Sequence, residues 1–299
     1  MPARASFLDP LEPANGEHGK LYVVGTPIGN LEDITLRAIR ILKEVDLIAC
    51  EDTRRTQKLL NAYKIQTRTI SYHQHNEMTR APELIIQMEE GSSIALVTDA
   101  GMPVVSDPGF RLVHLAVRHS IPVIPVPGAS AFVAALAASG LPVDKFRFLG
   151  FLPSKKGERR KALDELKDAT RTLVFYEAPH RVLEMLKDAK DILGERDIVI
   201  AREVTKVHEQ FLRGTIGTAF EYLKRRPAKG EITVLIGVNS GSDAEPGAEP
   251  AASLISELEM VMAQRKVDER AALKIVARAR GVSKSEAYRL WQAEKSRKS

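Results

Sequence analysis

Residues 20–140 alternate short apolar runs with stretches in which apolar residues recur at helical spacing. The runs are typical of buried strands, and the stretches between them are typical of amphipathic helices. Their alternation predicts an α/β domain with a parallel or mostly parallel sheet covered by helices. The predicted strands are 21–24, 47–50, 69–71, 94–98 and 123–125, and the predicted helices are 36–45, 55–63, 78–89, 110–118 and 130–138.

Residues 141–238 show a different pattern of apolar runs and helical stretches, which predicts a second α/β domain with a mixed sheet. The fold class is therefore α/β, with two such domains. The predicted strands are 146–150, 172–176, 198–202, 209–212 and 232–237, and the predicted helices lie near 158–167, 181–193 and 219–225.

Three further segments fall outside these two patterns. Residues 1–19 have no apolar core and carry acidic residues, so we expect a disordered tail and no secretory signal. Residues 239–251 are small and contain Pro and Gly, as is typical of a linker. Residues 252–299 are predicted to form a basic helical extension.

Within this extension the pattern resembles a helix-turn-helix. Two helices, 271–280 and 284–294, flank a Gly turn, with Ser283 as the expected N-cap of the second helix. Leu290 and Trp291 are the expected core of this small unit. The alternative is a helical hairpin that packs on its own chain or on a second subunit.

Charge is distributed unevenly along the chain. The net charge is +5, yet residues 265–299 hold eleven Lys and Arg against four Asp and Glu, and residues 239–264 hold five acids and no base. A compact basic terminus is typical of a protein that binds polyanions. The alternative is that these charges form a solvated helix face, and charge alone does not distinguish the two interpretations.

Composition excludes several classes of protein. No apolar run approaches the ~20 residues that a membrane-spanning helix needs. Cys50 is the single cysteine, which excludes an internal disulfide and a cysteine-rich zinc site. We therefore expect a cytoplasmic protein.

Four loops rich in Gly, Pro and acidic residues directly follow predicted strands: 25–30, 51–54, 98–109 and 126–131. Ligands of parallel sheets bind at the carboxyl ends of the strands. The first loop, GTPIGN, would let a ligand approach backbone N–H groups, because glycine has no side chain. It lacks both the G-x-G-x-x-G fingerprint and the Gly-Lys-Ser/Thr of a P-loop, so we expect a nucleotide-like site of another kind.

The third loop contains two acids with different expected roles. Asp107 precedes Pro108, which predicts that Asp107 caps a helix whose first residue is Pro108. Asp99 is followed by an apolar segment, so we expect its carboxylate at the ligand edge of the sheet instead.

Two further segments, 176–181 and 202–206, combine a carboxylate with a cation after a strand. They are candidates for catalysis, and ordinary ion pairs are the alternative. His73 and His75 are expected in a loop and not in a metal site, because no acid or Cys lies around them at ligand spacing. No metal is expected.

Seven segments, in order and spanning about 21–238, resemble the bacterial ribosomal RNA small subunit methyltransferase I family, which belongs to the tetrapyrrole-methylase fold group. They are GTPIGNLEDIT, EDTRRT, TDAGMPVVSDPG, VPGASA, FLGFLP, FYEAPHR and REVTK. The basic helical extension also resembles that of the family. The resemblance implies S-adenosylmethionine as methyl donor, bound in a cleft between the two α/β domains. It further implies a homodimer that methylates the 2′-hydroxyl of a cytidine in the decoding region of 16S rRNA, as free RNA or within the 30S subunit.

On this basis we expect three sets of site residues. The donor set is Pro27, Gly29, Asp99, Ala100, Gly101, Met102, Ser106, Ser130, Ala131, Phe151, Ala178 and Ile232. The catalytic set is Asp52, Glu177 and Glu203 as candidate bases, with Arg181 and Lys206 orienting phosphate or stabilising an alkoxide. The RNA-binding set is Arg54, Tyr72, His75, Arg278, Arg280, Lys284 and Arg289.

Two other functions stay open at this stage. A precorrin-type tetrapyrrole C-methyltransferase would have an acid in the first loop, where this chain has Asn30, and would have no use for the basic extension. A helix-turn-helix regulator would explain that extension but not two large domains with acids at their strand ends.

Overall fold

The computed structural model describes residues 19–238, 254–279, 283–285, 287–289 and 291–292. The predicted linker, and all of the predicted N-terminal tail except Gly19, lie outside the described residues. The chain divides into two compact units, Met1–Ser240 and Gly241–Ser299. In the described part of both units, no helix combines the length and the apolar character that crossing a bilayer requires.

The first half of the larger unit is a parallel five-stranded sheet with the strand order β3-β2-β4-β1-β5. Its strands are β1 (Leu21–Val24), β2 (Leu47–Cys50), β3 (Thr69–Ser71), β4 (Ile94–Val97) and β5 (Val123–Val126). Every residue of β2 and β4 is buried, because helices cover both faces of the sheet. The predicted parallel sheet is confirmed.

Five helices connect these strands. They are α1 (Leu36–Glu44), α2 (Thr53–Ala62), α3 (Glu77–Glu89), α4 (Phe110–Arg118) and α5 (Ala131–Ala137). Helices α1 and α2 cover one face, and α3 and α4 cover the other. The predicted cap of α1 is confirmed, since Thr35 Oγ1 accepts a hydrogen bond from the N–H of Ala38 at 3.1 Å.

The second half is a mixed sheet, as predicted, and its strand order is β6-β7-β10-β8-β9. Its elements are β6 (Phe146–Phe151), α6 (Lys156–Asp164), β7 (Thr172–Glu177), α7 (Val182–Leu193), β8 (Asp197–Arg202), β9 (Gln210–Thr215), α8 (Ile216–Arg225) and β10 (Ile232–Ile236). Helix α8 begins three residues before its predicted start, because Thr215 and Thr218 form a reciprocal capping box. Strand β9 is longer than predicted, and its last residues, 213–215, pair with the first residues of β8.

Helix α5 joins the two sheets. Its residues Ala135 and Leu136 are buried against Val174 of β7 and Leu235 of β10. Arg213 of β9 donates hydrogen bonds to the carbonyl groups of Ala138 and Ser139, directly after α5, which binds this end of the helix to the second sheet. This cluster packs α5 and the loops after the first sheet's strands against the second sheet.

The smaller unit contains α9 (Leu254–Arg265), which the sequence analysis did not predict, and α10 (Glu269–Ala279). Residues 284–285, 287–289 and 291–292 are also helical. Trp291 is buried with Leu273 and Val276 of α10, which supports its predicted place in the core. The other predicted core residue, Leu290, lies outside the described residues.

Candidate active site

A cavity of about 370 Å³ lies between the two sheets. Sites for small molecules in proteins span ~300–1,000 Å³. Loops after β1, β4 and β5 form one wall, and the turn after β7 and the start of β10 form the other. The lining residues are Ile28, Ala100, Gly101, Met102, Val105, Ser106, Asp107, Ser130, Ala131, Phe151, Tyr176, Glu177, Ala178, Pro179, Val204, Gly230, Glu231, Ile232 and Thr233.

The loops after β1 and β5 touch backbone to backbone. A Cβ atom on Gly25 would lie 2.7 Å from the Cα of Gly128, and one on Gly128 would lie 2.7 Å from the carbonyl oxygen of Gly25. The Gly25 Cβ would also lie 2.7 Å from Met102 Sδ, in the loop after β4. Because no side chain fits in these gaps, the two glycines allow three loops to meet at one wall of the cavity.

Thr26 binds the first loop to the loop after β4. Its N–H donates to the carbonyl of Gly101 at 2.9 Å, and the N–H of Gly101 donates back at 3.1 Å. The Thr26 hydroxyl also donates to the carbonyl of Thr98 at 3.1 Å. This bridge fixes the backbone from which Ile28 reaches the cavity.

The loop at residues 101–109 is held in an unusual backbone conformation. Val104 and Ser106 have positive φ angles of 76° and 65°. Such conformations cost ~1–3 kcal/mol each and cluster at functional sites. Packing holds them here: the Val104 N–H donates to the carbonyl of Pro108, and a side chain on Gly109 would collide with Leu96. The result is that three successive residues, 105–107, line the cavity.

Asp107 is a cavity residue and not a helix cap. The N-cap of α4 is Gly109, whose φ of 129° separates Asp107 from the helix, so the capping prediction is wrong. The Asp107 carboxylate accepts a hydrogen bond from the Thr98 hydroxyl at 3.4 Å. Burial raises the pKa of Asp107 to about 6, and the negative charges of Glu51 and Asp99 add to the effect. Asp107 forms no ion pair with any described cation.

Aromatic rings line the cavity on the side of the second sheet. Tyr176 packs edge-on against Phe148 with ring centroids 5.0 Å apart, and Phe151 lies 5.6 Å away. Phe132 of α5 stacks on Phe148 at 4.3 Å. Burial raises the pKa of Tyr176, and the charge of Asp107 contributes to the shift, so these two groups interact electrostatically.

Glu177 belongs to the cavity wall, and one oxygen of its carboxylate, Oε1, is held by the turn that follows β7. It accepts a hydrogen bond from the N–H of Ala178 at 2.8 Å and lies 3.3 Å from Arg181 Nε. Glu177 shares a face of β7 with Phe175, whose ring packs in the core beneath the helices. Burial raises the pKa of Glu177 in spite of the nearby Arg181. Oε2 is buried and has no hydrogen-bond partner among the described residues. The role of Glu177 as a general base therefore stays a prediction.

Arg181 is likewise held by the protein. Its guanidinium donates to the carbonyl of Leu152 at 2.6 Å and pairs with Glu177. Arg181 does not line the cavity. It joins the end of β6 to the turn after β7, and its expected role in orienting phosphate stays a prediction.

Glu203 and Lys206 form a bridge beside the cavity. Lys206 Nζ lies 2.9 Å from Glu203 Oε1 and 3.3 Å from Glu231 Oε2. Burial opposes the charge on Lys206, but the two carboxylates outweigh it and raise its pKa. The stem of Lys206 packs on Gly29, where a Cβ would lie 2.3 Å from Lys206 Cγ. The Glu203–Lys206 pair connects the second sheet to the first loop. The catalytic role expected for these two residues stays a prediction.

Most of the expected donor residues meet at the cavity. Nine of them line it: Ala100, Gly101, Met102, Ser106, Ser130, Ala131, Phe151, Ala178 and Ile232. Pro27, Gly29 and Asp99 are not among the lining residues, and their assignment to the donor site stays a prediction. Of the first loop, Ile28 reaches the cavity, while Gly29 faces Lys206.

Asp52 and Asp99 belong to a polar cluster outside the cavity lining. Asp52 is the N-cap of α2, accepts from the N–H of Arg54 at 2.8 Å and pairs with the Arg54 side chain at 3.1 Å. Asp99 accepts from the N–H of Asp52 at 3.2 Å and pairs with Arg55 at 3.0 Å. Both carboxylates thus have structural contacts in capping and ion pairing, and the role of Asp52 as a base stays a prediction.

The expected RNA-binding residues differ in their accessibility. Tyr72 is 1% exposed and packs in the core of the first sheet, so its ring cannot stack on a base and that prediction is wrong. The other described members of the set are exposed: Arg54, His75, Arg278, Lys284 and Arg289. Arg280 lies outside the described residues.

Sequence reasoning missed several lining residues: Ile28, Val105, Asp107, Tyr176, Pro179, Val204, Gly230, Glu231 and Thr233. One signal was available for Tyr176. Side chains alternate along a strand, so Tyr176 and Glu177 must face opposite sides of the second sheet. The left-handed backbone that brings Asp107 to the cavity has no signal in the sequence, since neither Val104 nor Ser106 favours it.

Residues 20–219 match the family model described as Tetrapyrrole (Corrin/Porphyrin) Methylases. Solved structures agree on the fold. A cobalt-precorrin-4 methyltransferase aligns with a TM-score of 0.56 at 18% identity, over 73% of this chain and 94% of that one. The conserved hypothetical protein APE0931 from Aeropyrum pernix K1 aligns with a TM-score of 0.60 at 16% identity, over 75% and 86%.

Relatives of higher identity share one name, ribosomal RNA small subunit methyltransferase I. The one from Halalkalibacterium halodurans is 49% identical over 280 residues, which cover 93% of this chain and 96% of that protein. The one from Thermotoga maritima is 50% identical over 218 residues, which cover 73% of this chain and 98% of that shorter protein. The chain therefore belongs to the tetrapyrrole methylase family and, within it, to the ribosomal RNA small subunit methyltransferase I family.

Proposed function

We propose that this protein transfers a methyl group from S-adenosylmethionine to the 2′-hydroxyl of a cytidine in the decoding region of 16S rRNA. The observation that carries the proposal is the cavity between the two sheets, walled by three loops that meet at Gly25 and Gly128. Family membership supports methyl transfer, and the names of the relatives support ribosomal RNA as the acceptor.

The cavity residues fit a donor of this chemistry. Small residues at positions 100, 101, 130 and 131 leave room for a nucleoside against the backbone. S-adenosylmethionine is cationic at sulfur and, when bound, supplies an electrophilic methyl carbon. The carboxylate of Asp107, which has no cationic partner among the described residues, gives this wall of the cavity a negative charge that suits such a ligand.

Asp107 is also our candidate for the group that accepts the proton of the ribose hydroxyl. The other two carboxylates of the cavity wall have cationic partners, since Glu177 pairs with Arg181 and Glu231 pairs with Lys206. A carboxylate with a pKa of about 6 is mostly ionised at neutral pH, yet it is a stronger base than an ordinary aspartate. The proton passes from the ribose oxygen to Asp107 as the oxygen is methylated.

Further parts of the proposal concern partners and location. The basic helical extension is proposed to contact RNA phosphates, and the protein is proposed to be a homodimer. A ribosomal substrate implies that the protein acts in the cytoplasm. Light scattering of the purified chain tests the dimer, and a monomer at micromolar concentration would contradict it.

The function is tested with the full chain in two steps. Calorimetry first measures the binding of S-adenosylmethionine, and labelled donor is then offered with 30S subunits that lack the modification, with free 16S rRNA, with a tetrapyrrole and with duplex DNA. The proposal expects donor binding and label in the RNA of one of the first two acceptors. Label in the tetrapyrrole alone, or duplex DNA binding without any transfer, would overturn it.

A further inference from the structure

Helix α10 carries a regular stripe of positive charge on its exposed face. Arg270, Lys274 and Arg278 follow one another at intervals of four residues, and all three are exposed. Residues four apart lie on one side of an α-helix. We call these three residues the α10 stripe.

The opposite face of α10 fixes the direction of the stripe. Four residues on this face are buried in the core of the smaller unit together with Trp291: Ala272, Leu273, Val276 and Ala277. The helix therefore cannot rotate to hide its charges without exposing this core. The stripe is a fixed feature of the fold.

The three charges act together. Each step of four residues advances ~6 Å along the helix axis, which is shorter than the Debye length of ~8 Å at physiological salt. None of the three forms an ion pair with a described carboxylate, whereas exposed cations of the larger unit such as Arg40 and Arg80 do. A linear row of cations with no described carboxylate partner suits a linear polyanion.

The length of one relative indicates whether the smaller unit belongs to the methyl-transfer site. The Thermotoga maritima relative is matched almost whole by 218 residues, so it has no room for an additional unit of this size. A member of the same family thus exists without a counterpart. We infer that the smaller unit adds affinity for a partner and is not part of the methyl-transfer site.

We propose that the α10 stripe binds the sugar–phosphate backbone of RNA and raises the affinity of the protein for its RNA substrate. The choice of RNA rests on the proposed function. Arg and Lys that contact phosphates hold a nucleic acid without reading its sequence. The stripe is therefore expected to bind the decoding-region RNA and an unrelated single strand with similar strength.

The test compares three full-length variants. The stripe variant carries Arg270→Gln, Lys274→Gln and Arg278→Gln. The control carries Lys161→Gln, Lys187→Gln and Lys224→Gln, which removes the same charge from exposed sites of the larger unit. A third variant keeps the charge of the stripe with Arg270→Lys, Lys274→Arg and Arg278→Lys. Circular dichroism verifies that each variant is folded.

Fluorescence anisotropy measures the affinity for a labelled decoding-region RNA fragment as salt is raised. The stripe variant is expected to bind on the order of tenfold more weakly, and the slope of log affinity against log salt should fall by about 2, at ~0.7 per lost phosphate contact. The control and the charge-retaining variant should match the wild type. Equal loss in the stripe variant and the control, or no loss in either, would overturn the proposal.

This readout is independent of catalysis. Loss of RNA affinity in the stripe variant, without methyl transfer by the wild type, would support the stripe and contradict the proposed function. Binding of the stripe to vesicles that contain phosphatidylserine, with no effect of the variant on RNA, would contradict the stripe's assignment to RNA.

Discussion

The Asp107→Asn substitution should make the protein more stable and less active, and its effect on stability should depend on pH. Asp107 lines the cavity, accepts a hydrogen bond from Thr98 and has no described cationic partner. Asparagine keeps the shape and an accepting oxygen but carries no charge. The substitution therefore removes the buried charge with little change in packing.

The sign and size of the effect follow from the pKa. Burial raises the pKa of Asp107 from 3.8 to about 6 in the folded protein. As pH rises through this interval the unfolded chain loses its proton before the folded protein does, so the wild type loses stability. At ~1.4 kcal/mol per pKa unit, the loss relative to a neutral residue is about 1.5 kcal/mol at pH 5 and about 3 kcal/mol at pH 8.

Urea unfolding at both pH values measures this difference. The free energy of unfolding of the Asp107→Asn variant should exceed that of the wild type, by a margin that grows from pH 5 to pH 8. The exposed Asp144, replaced by Asn, serves as the control and should show no such growth. A variant that is less stable than the wild type at pH 8, or a margin that does not change with pH, would refute the reasoning.

The same variant separates stability from catalysis. If Asp107 accepts the hydroxyl proton, the methyl-transfer rate should fall ~10²- to 10⁴-fold in the variant, and the wild-type rate should rise with pH through about 6. Single-turnover rates on RNA measure both. An unchanged rate in a folded variant would remove Asp107 from the mechanism.

Three further predictions concern the cavity, its walls and the core. Ala131→Leu places a larger side chain in the cavity, so calorimetry should find that S-adenosylmethionine binds at least about tenfold more weakly. The control is Val133→Leu, on the exposed side of the same helix, which should bind S-adenosylmethionine as the wild type does. Gly128→Ala forces a Cβ to within 2.7 Å of the facing backbone, so it should cost ~1–3 kcal/mol in urea unfolding and weaken donor binding; unchanged values would mean that the loops can separate freely. Asp188→Ala leaves the guanidinium of Arg159 buried without its closest partner, at 2.8 Å, and should cost ~3–5 kcal/mol of stability. A loss below about 1 kcal/mol would show that Glu184, the other carboxylate paired with Arg159 at 3.2 Å, is sufficient to stabilise the buried charge.

The first sheet was predictable because its signals are local and redundant. The apolar runs that form β1 and β2 are bounded by polar residues, and burial on both faces requires uninterrupted apolar sequence. The Thr35 cap is equally local. Helix α9 was not predicted, because its apolar residues are not gathered into one clear stripe.

The site was harder to predict because its geometry depends on contacts between distant residues. The loops that form the cavity could be located from the sequence, since each follows a strand. The ion-pair partner of each carboxylate could not be predicted from the sequence. Asp99 faces Arg55, Glu177 faces Arg181, and Asp107 lies in a loop whose residues Val104 and Ser106 have positive φ angles.

Chemical mapping of the methylated nucleotide is the most direct test of the central claim. The wild-type chain and the Asp107→Asn variant are incubated with labelled S-adenosylmethionine and 30S subunits that lack the modification, and the RNA is digested and analysed by mass spectrometry. We expect the wild type to place the label on the ribose 2′-oxygen of one decoding-region cytidine, and the variant to place little or none there. Label on a base carbon or nitrogen, or at a site outside the decoding region, would contradict the proposed reaction.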